Sequence, residues 1–259
     1  MKIATWNVNS IRARLSHLLD WLESAAPDAL LLQETKVEDE GFPRLEIEAA
    51  GYRVAFHGQK SYNGVAIISR QPVEDIKIGL PGDPNDAQAR YIEATLDGIR
   101  LCGLYLPNGN PVESEKFPYK LAWMERLIAR TRELIAADQP FLLGGDFNVI
   151  PSDFDVFDPK LFANDALTRP ETRARFRALL HLGLTDSFRA LHPDMPGYSF
   201  WDYQAGAWPR DQGLRIDHFL LSPQLADRLI SCEIDRTPRG LEKASDHTPV
   251  VCTFSPSGH

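Results

Sequence analysis

Residues 91–105 read Tyr-Ile-Glu-Ala-Thr-Leu-Asp-Gly-Ile-Arg-Leu-Cys-Gly-Leu-Tyr, two β-rich runs (Tyr91 to Leu96 and Ile99 to Tyr105) with no helix between them. Strands joined so closely pair antiparallel, since a parallel return needs a crossover of a dozen or more residues. Further short apolar runs lie at Lys2 to Trp6, Ala29 to Leu32, Gly64 to Ser69, Phe141 to Leu143, Ile216 to Leu221 and Pro249 to Phe254, most of them bounded by Gly, Pro, Asn or Asp. Amphipathic helices alternate with them. Ile11, Leu15, Leu18, Leu19 and Leu22 share one helical face, closed by Ala26-Pro27; Leu121, Met124, Leu127, Ile128, Leu134 and Ile135 share another, opened near Pro118. A third stripe uses Phe176, Leu179, Leu180 and Leu184, and a shorter helix starts at Ser222-Pro223. Hairpins and helical crossovers in one chain predict an α/β fold of two mixed β-sheets packed face to face, flanked by helices. No low-complexity linker, composition break or solenoid repeat interrupts the series, so residues 1–259 are expected to form a single domain.

The 259 residues are 43% hydrophobic and 25% charged, which excludes collagen-like, coiled-coil and wholly disordered classes. Lys and Arg number 28 against 36 Asp and Glu, a formal net charge of −8, so no generic polycation binds nucleic acid here. A polyanionic partner would have to meet local basic patches, and carboxylates near the chemistry would need bound cations. No run of about 18 apolar residues predicts a membrane helix. The start of the chain enters a strand at once, and a cytoplasmic protein without a secretory leader is expected. Cys102, Cys232 and Cys252 are odd in number and embedded in apolar runs, as reduced core residues would be. No CxxC or HExxH supports a zinc site.

The informative pattern is how the apolar runs end. Ile3 to Trp6 ends in Asn7, Leu30 to Leu32 in Gln33-Glu34, and Phe141 to Leu143 in Gly-Gly-Asp146-Phe-Asn148; Ser245-Asp246-His247 precedes the last strand. Each carboxylate alone reads as a surface turn. In combination, Gly144-Gly145 would allow a sharp bend that presents Asp146 and Asn148 on one side of a turn. Asp217 interrupts the run from Leu214 to Leu221, where an unpaired polar group costs roughly 2 kcal/mol or more, so it needs a partner. Oxygen ligands of this kind favour Mg²⁺ or Mn²⁺ over zinc.

Thr5-Trp-Asn-Val-Asn9, Leu32-Gln-Glu-Thr35, Gly145-Asp-Phe-Asn148, Gly213-Leu-Arg-Ile-Asp217 and Ser245-Asp-His247 resemble, in order, the motif set of the exonuclease III family of DNA-repair nucleases. That family includes apurinic/apyrimidinic endonucleases and belongs to the endonuclease/exonuclease/phosphatase superfamily. The resemblance implies a four-layered α/β sandwich and Mg²⁺-dependent phosphodiester hydrolysis. It implies Glu34 as the principal metal carboxylate, with Asn7 and Asp246 close to the metal. Asp146 and Asn148 would hold the attacking water or assist the leaving oxygen, His247 oriented by Asp217 would face the scissile phosphate, Tyr105 matches an active-site tyrosine, and Asn108 a phosphate-contacting amide.

The chemistry suits those roles. A phosphodiester is anionic, so its hydrolysis needs positive charge on the nonbridging oxygens, a positioned water and stabilisation of the departing 3′ oxygen. Asp217 would fix the tautomer of His247 and favour the imidazolium. Asp146 is the candidate base, with protonation of the leaving group as the open alternative. Superfamily relatives act on inositol phosphates, sphingomyelin or DNA, so the substrate depends on loops. Tyr198 to Tyr203, Trp208 and Gly213 to Asp217 are similar to the loop with which the exonuclease III family covers a flipped, baseless deoxyribose, with Phe200, Leu214 and Ile216 at the pocket positions. Phe200 stands where tryptophan is frequent, which bears on pocket size. Arg173 and Arg177, four residues apart, are expected to project together with Arg169 nearby. With Arg12, Arg14, Lys60, Arg90, Lys116 and Lys120 they could track duplex phosphates; a solvated helix face is the alternative. The expectation is a monomeric DNA-repair hydrolase that cuts 5′ of abasic sites in double-stranded DNA, leaves a 3′ hydroxyl and trims 3′ ends. A phosphoesterase acting on a small or lipid phosphate is the alternative. A DNA-binding module without turnover is disfavoured by the joint presence of all the ionisable groups.

Overall fold

The computed structural model describes residues 1–256. Between the two runs of residues 91–105, Asp97 and Gly98 have φ of +48° and +75°. Two consecutive positive values make the turn whose twist matches that of the strands, and the runs pair antiparallel from Tyr91↔Leu104 to Leu96↔Ile99.

Among the described residues the chain runs β1 (Lys2–Asn7), α1 (Leu15–Ala25), β2 (Ala29–Gln33), α2 (Arg44–Ala49), β3 (Arg53–His57), β4 (Val65–Ser69), β5 (Glu74–Ile78), β6 (Tyr91–Leu96) and β7 (Ile99–Tyr105). It continues α3 (Lys116–Ala136), β8 (Phe141–Asp146), α4 (Pro170–His181), β9 (Thr185–Asp186), α5 (Ser187–Leu191), β10 (Asp217–Leu221), α6 (Pro223–Ala226), β11 (Leu229–Ile234) and β12 (Val250–Phe254). The strands form two six-stranded sheets, ordered β11-β12-β1-β2-β4-β3 and β5-β6-β7-β8-β10-β9. Both are mixed: β1 with β2 and β7 with β8 are parallel, while β1 with β12 and β8 with β10 are antiparallel.

Strand alternation sorts the side chains into layers. Ala29 and Leu31 of β2 enter the central core with Leu101, Leu142 and Phe219 of the second sheet, while Leu30 and Leu32 point outward to Leu18, Trp21 and Leu22 of α1. On the other side, Cys102, Leu104, Phe141 and Leu143 pack under Trp123, Leu127 and Ile128 of α3 and Phe176 and Leu179 of α4. The result is the expected α/β/β/α sandwich. All three cysteines are free and buried.

The eight strands legible as apolar runs are the interior strands of the two sheets. Those without such a signal, β11, β3, β5 and β9, are the four edges. An edge strand needs no two-sided apolar pattern, and β5 is exposed along its whole length.

Gly144 and Gly145 do not bend the chain away from the sheet, as the sequence suggested. They stay in the ladder, with Gly144 opposite Gly103 and Phe219, and Gly145 opposite Leu104 and His218, and the strand continues to Asp146. The reason is steric. A Cβ on Gly144 would lie 2.5 Å from the Phe219 ring, and one on Gly145, where φ is +153°, would lie 1.9 Å from the Leu104 carbonyl oxygen. Glycine is thus what lets β8 run between its neighbours and deliver Asp146 at the sheet end. Gly145→Ala is expected to destabilise the fold by about 2 kcal/mol or more, read as a lower urea midpoint. An unchanged midpoint would show that the backbone can yield at this point.

Candidate active site

Strand ends from both sheets meet at one edge of the sandwich. Asn7 closes β1, Glu34 follows β2 with φ +52°, Tyr105 closes β7, Asp146 closes β8, Asn148 follows with φ +47°, and Asp217 opens β10. Asp246 and His247 come from the turn before β12, held there by the Ser245 hydroxyl, which donates to Asn7 O at 2.6 Å and accepts from His247 N at 3.2 Å.

The side chains converge. Asn7 Nδ2 donates to Glu34 Oε1 at 2.9 Å and to Asp146 Oδ2 at 3.0 Å. His247 Nδ1 lies 2.8 Å from Asp217 Oδ2, and its Nε2 lies 3.5 Å from Asp146 Oδ2. Asp217 Oδ2 also accepts from Ser199 Oγ at 2.7 Å, while its Oδ1 is buried without a partner. Asn148 N donates to Asp146 Oδ1 at 2.9 Å, Asn148 Nδ2 to Leu106 O at 2.8 Å, and Asn108 Nδ2 to Asn148 Oδ1 at 3.1 Å. A cavity of about 580 Å³ opens over these groups, with Tyr105, Asn108, Phe200, Leu214 and Ile216 in its wall. Phe200 is bridged through its backbone to both Leu214 and His247, and its ring meets the imidazole edge-on at 4.9 Å. The apolar wall and the polar floor are therefore one construction.

Burial disfavours charge on His247, but the carboxylates of Asp217 and Asp146 outweigh it and push the imidazole up to about 10, so the ring is an imidazolium at neutral pH. Burial raises Asp146, and Asp217 adds to the rise against the pull of His247. Burial also opposes the charge of Glu34, yet the Asn7 amide and Lys36, 3.0 Å away, hold its carboxyl below the usual range. Asp246 is raised by burial, with Glu34 adding to the rise against His247. Burial together with Glu34 and Asp146 raises Tyr105 well above a free phenol, so it keeps its proton.

Ligand atoms of Glu34, Asp146 and His247 lie within 4.8 Å of one another. Hard carboxylate oxygens at a cavity floor, with Asp246 near enough for the charge of Glu34 to act on it, make a donor set that suits a hard divalent cation. Asn7 stands directly beside this cluster. Its Oδ1 accepts from Asn9 N at 3.0 Å and its NH₂ faces the carboxylates, so it braces them as a donor.

Residues 4–247 match the Endonuclease/Exonuclease/phosphatase family. The chain belongs to that family. It is similar to exodeoxyribonuclease III of Haemophilus influenzae, 37% identical over 266 residues that cover 98% of this chain and 100% of the relative. Among solved structures it is similar to an AP endonuclease from Archaeoglobus fulgidus, with TM-score 0.95, 41% identity and coverage of 99% of this chain and 100% of that one. It is also similar to the 3′ phosphatase NExo from Neisseria bound to a product DNA hairpin, with TM-score 0.97, 41% identity and coverage of 98% and 99%.

Against this family architecture the basic residues depart most from expectation. Arg173 and Arg177 do not form a free pair: Arg173 donates to Ile150 O at 2.9 Å and pairs with Asp153 at 2.9 Å, leaving only Arg177 exposed. Lys120 is fully buried and Arg14 donates to Lys243 O and Ala244 O, while Arg12 gives only its Nε to Gly41 O and stays exposed. Helical spacing tells which face a side chain occupies, not whether neighbouring carbonyls claim its protons. Arg90 stays beside the site, its guanidinium 4.8 Å over the Tyr105 ring, and Lys116 stays exposed.

The sequence reading also missed a buried network behind the pocket wall. Arg215, between Leu214 and Ile216, reaches Asp155 at 2.6 Å and Asp186 at 2.9 Å and donates to His218 Nδ1 at 3.2 Å, while His218 Nε2 donates to Val149 O at 2.9 Å. The only local signal was a charged residue alternating with two apolar ones. These contacts fix a neutral His218, and burial together with Arg215 lowers its pKa to about 4. Since the unfolded ring titrates near 6.5, protons bind the unfolded chain first as pH falls, and stability drops between about 6.5 and 4 by roughly 3 kcal/mol at the limit. Urea unfolding of the wild type and His218→Asn across that range is expected to show a shallower pH slope in the variant; equal slopes would remove His218 as the source.

Proposed function

We propose that this protein is a DNA-repair phosphodiesterase that hydrolyses the backbone 5′ of abasic sites in double-stranded DNA, leaves a 3′ hydroxyl, and also trims 3′ ends, with Mg²⁺ as its cofactor and Mn²⁺ as a substitute. The observation that carries this is the His247 imidazolium, held by Asp217 and facing Asp146 across the floor of a cavity whose adjoining wall is apolar. The names of the similar proteins, a nuclease, an AP endonuclease and a 3′ phosphatase, support the substrate class.

Glu34 and Asp246 would hold the cation, which when bound supplies positive charge to the nonbridging phosphate oxygens. The rest of the chemistry belongs to the chain. The His247 Nε2–H proton donor is aimed at the cavity, where it stabilises negative charge building on the phosphate, and Asp217 keeps it from turning. Asp146, uncharged by its surroundings more readily than an ordinary aspartate, accepts the proton of the attacking water. Asn148 and Asn108 offer amides, and Tyr105 a protonated phenol, to the phosphate and the departing oxygen. Phe200, Leu214 and Ile216 receive the bare sugar, which has less to unstack than an intact nucleotide. Arg90, Arg177 and Lys116 contact flanking phosphates. Arg173 acts through the loop it braces rather than as a free cation. No helix among the described residues is long and apolar enough to cross a membrane.

Asp146→Asn is expected to lower incision of a labelled duplex with one abasic analogue by about 100- to 10,000-fold while leaving the melting temperature within a few degrees. Incision should stop with EDTA, return with Mg²⁺, and remain absent in Glu34→Ala. Intact strands with the wild type in Mg²⁺, accompanied by phosphate release from inositol phosphates, would overturn the assignment in favour of a small-molecule phosphoesterase.

A further inference from the structure

Lys120 lies in the first turns of α3 and is fully buried. Among the described residues its ammonium has no carboxylate as an ion-pair partner. It donates instead to two main-chain carbonyls, Asn108 O at 2.9 Å and Asn148 O at 2.5 Å. These belong to the loops after β7 and β8, and the side chains of the same two asparagines meet at 3.1 Å and line the cavity. The aliphatic stem completes the arrangement: Gly109, with φ +89°, crosses so closely that a Cβ there would lie 2.6 Å from Lys120 Cδ.

A buried ammonium is an expensive way to fill a core position, since an apolar side chain of the same length would pack there without desolvating a charge. Burial lowers its pKa to about 7 against the pull of Asp165 and Asp146. What the charge achieves is directional. One group with several N–H donors ties together two loops that share no strand, and each tie is made at a residue that lines the cavity.

We infer that Lys120 is a positioning residue for phosphoester hydrolysis, clamping the main chains of Asn108 and Asn148 so that their paired amides are held at the reacting phosphate. The inference rests on the hydrolase reading above. Because Lys120 acts through the amides, its loss should lower kcat and leave KM nearly unchanged, and it should matter little once the Asn148 amide is gone.

The test is a double-mutant cycle of Lys120→Met and Asn148→Ala, read under single turnover on the abasic duplex and on bis(4-nitrophenyl) phosphate. Lys120→Met is expected to reduce kcat about 10- to 100-fold with KM within about 3-fold. In the Asn148→Ala background the further loss should be under about 3-fold. Losses that multiply in full, or a fall in melting temperature with kcat unchanged, would overturn the inference and leave Lys120 a stability residue. Lys120→Gln, close in length and uncharged, goes through the same cycle if the methionine variant does not fold. An uncut abasic duplex alongside hydrolysed small diester would sink the DNA reading alone, and the coupling measured on the diester would still decide the part played by Lys120.

Discussion

The two sheets meet through an apolar interior, and the hydrophobic effect that drives that contact is not directional. What pins them is a pair of buried polar contacts at one end. Asp217, at the start of β10 in the second sheet, binds His247, which enters β12 of the first; Asn7, closing β1 of the first, donates to Asp146, closing β8 of the second. Hydrogen bonds are short and directional, so these two ties fix how the sheets are placed relative to one another where the chemistry needs it. Two of the four, Asp146 and His247, line the cavity, and Asn7 and Asp217 hold them in place from beneath. Stability and site geometry are therefore coupled at this end of the molecule, and truncating one of these side chains, unlike an isosteric exchange, disturbs both.

That end of the molecule concentrates carboxylates with few cations to pair them, unlike the buried Arg215–Asp155–Asp186 network, where the charges are matched. Four carboxylates, Glu34, Asp146, Asp217 and Asp246, gather around an imidazolium, with Lys36 at the rim and Lys120 beneath. The balance is incomplete: burial leaves Asp146 and Asp246 less acidic than ordinary aspartates, and Asp217 Oδ1 has no partner. A protein carrying net charge −8 that is to receive a phosphodiester must offset its own carboxylates first. The fit of the donor set to a divalent cation follows from that electrostatic need as much as from the family.

Legibility tracked burial. Each of the eight interior strands announced itself as an apolar run, whereas β3, β5, β9 and β11 sit at sheet edges where one flank or one face meets water, and such apolar residues as they have are flanked or interrupted by polar and charged ones. The site was legible because its residues sit where apolar runs stop, as with Asn7 after Trp6 and Glu34 after Gln33. The basic residues were not. Arg173, Arg14 and Lys120 look alike on a helical wheel or in a loop, yet the first two brace neighbouring carbonyls and the last is sealed inside. Arg215, inside the Gly213 to Asp217 block, and His218, just after it, gave no hint of Asp155 and Asp186 as members of the same network because those lie dozens of residues away.

From residue order alone came the α/β layering, the interior strands, and the set of polar groups left at strand ends, because hydrophobic periodicity and chain punctuation act over a few residues and are written locally. Only the folded chain decided that Gly145 stays within its strand, that Asn7 donates to two carboxylates, and that Lys120, Arg173 and Arg14 among the suspected phosphate-tracking cations are committed internally. Those outcomes depend on which distant carbonyl or carboxylate arrives within 3 Å, and that distance is set by how two sheets pack, which no local stretch encodes.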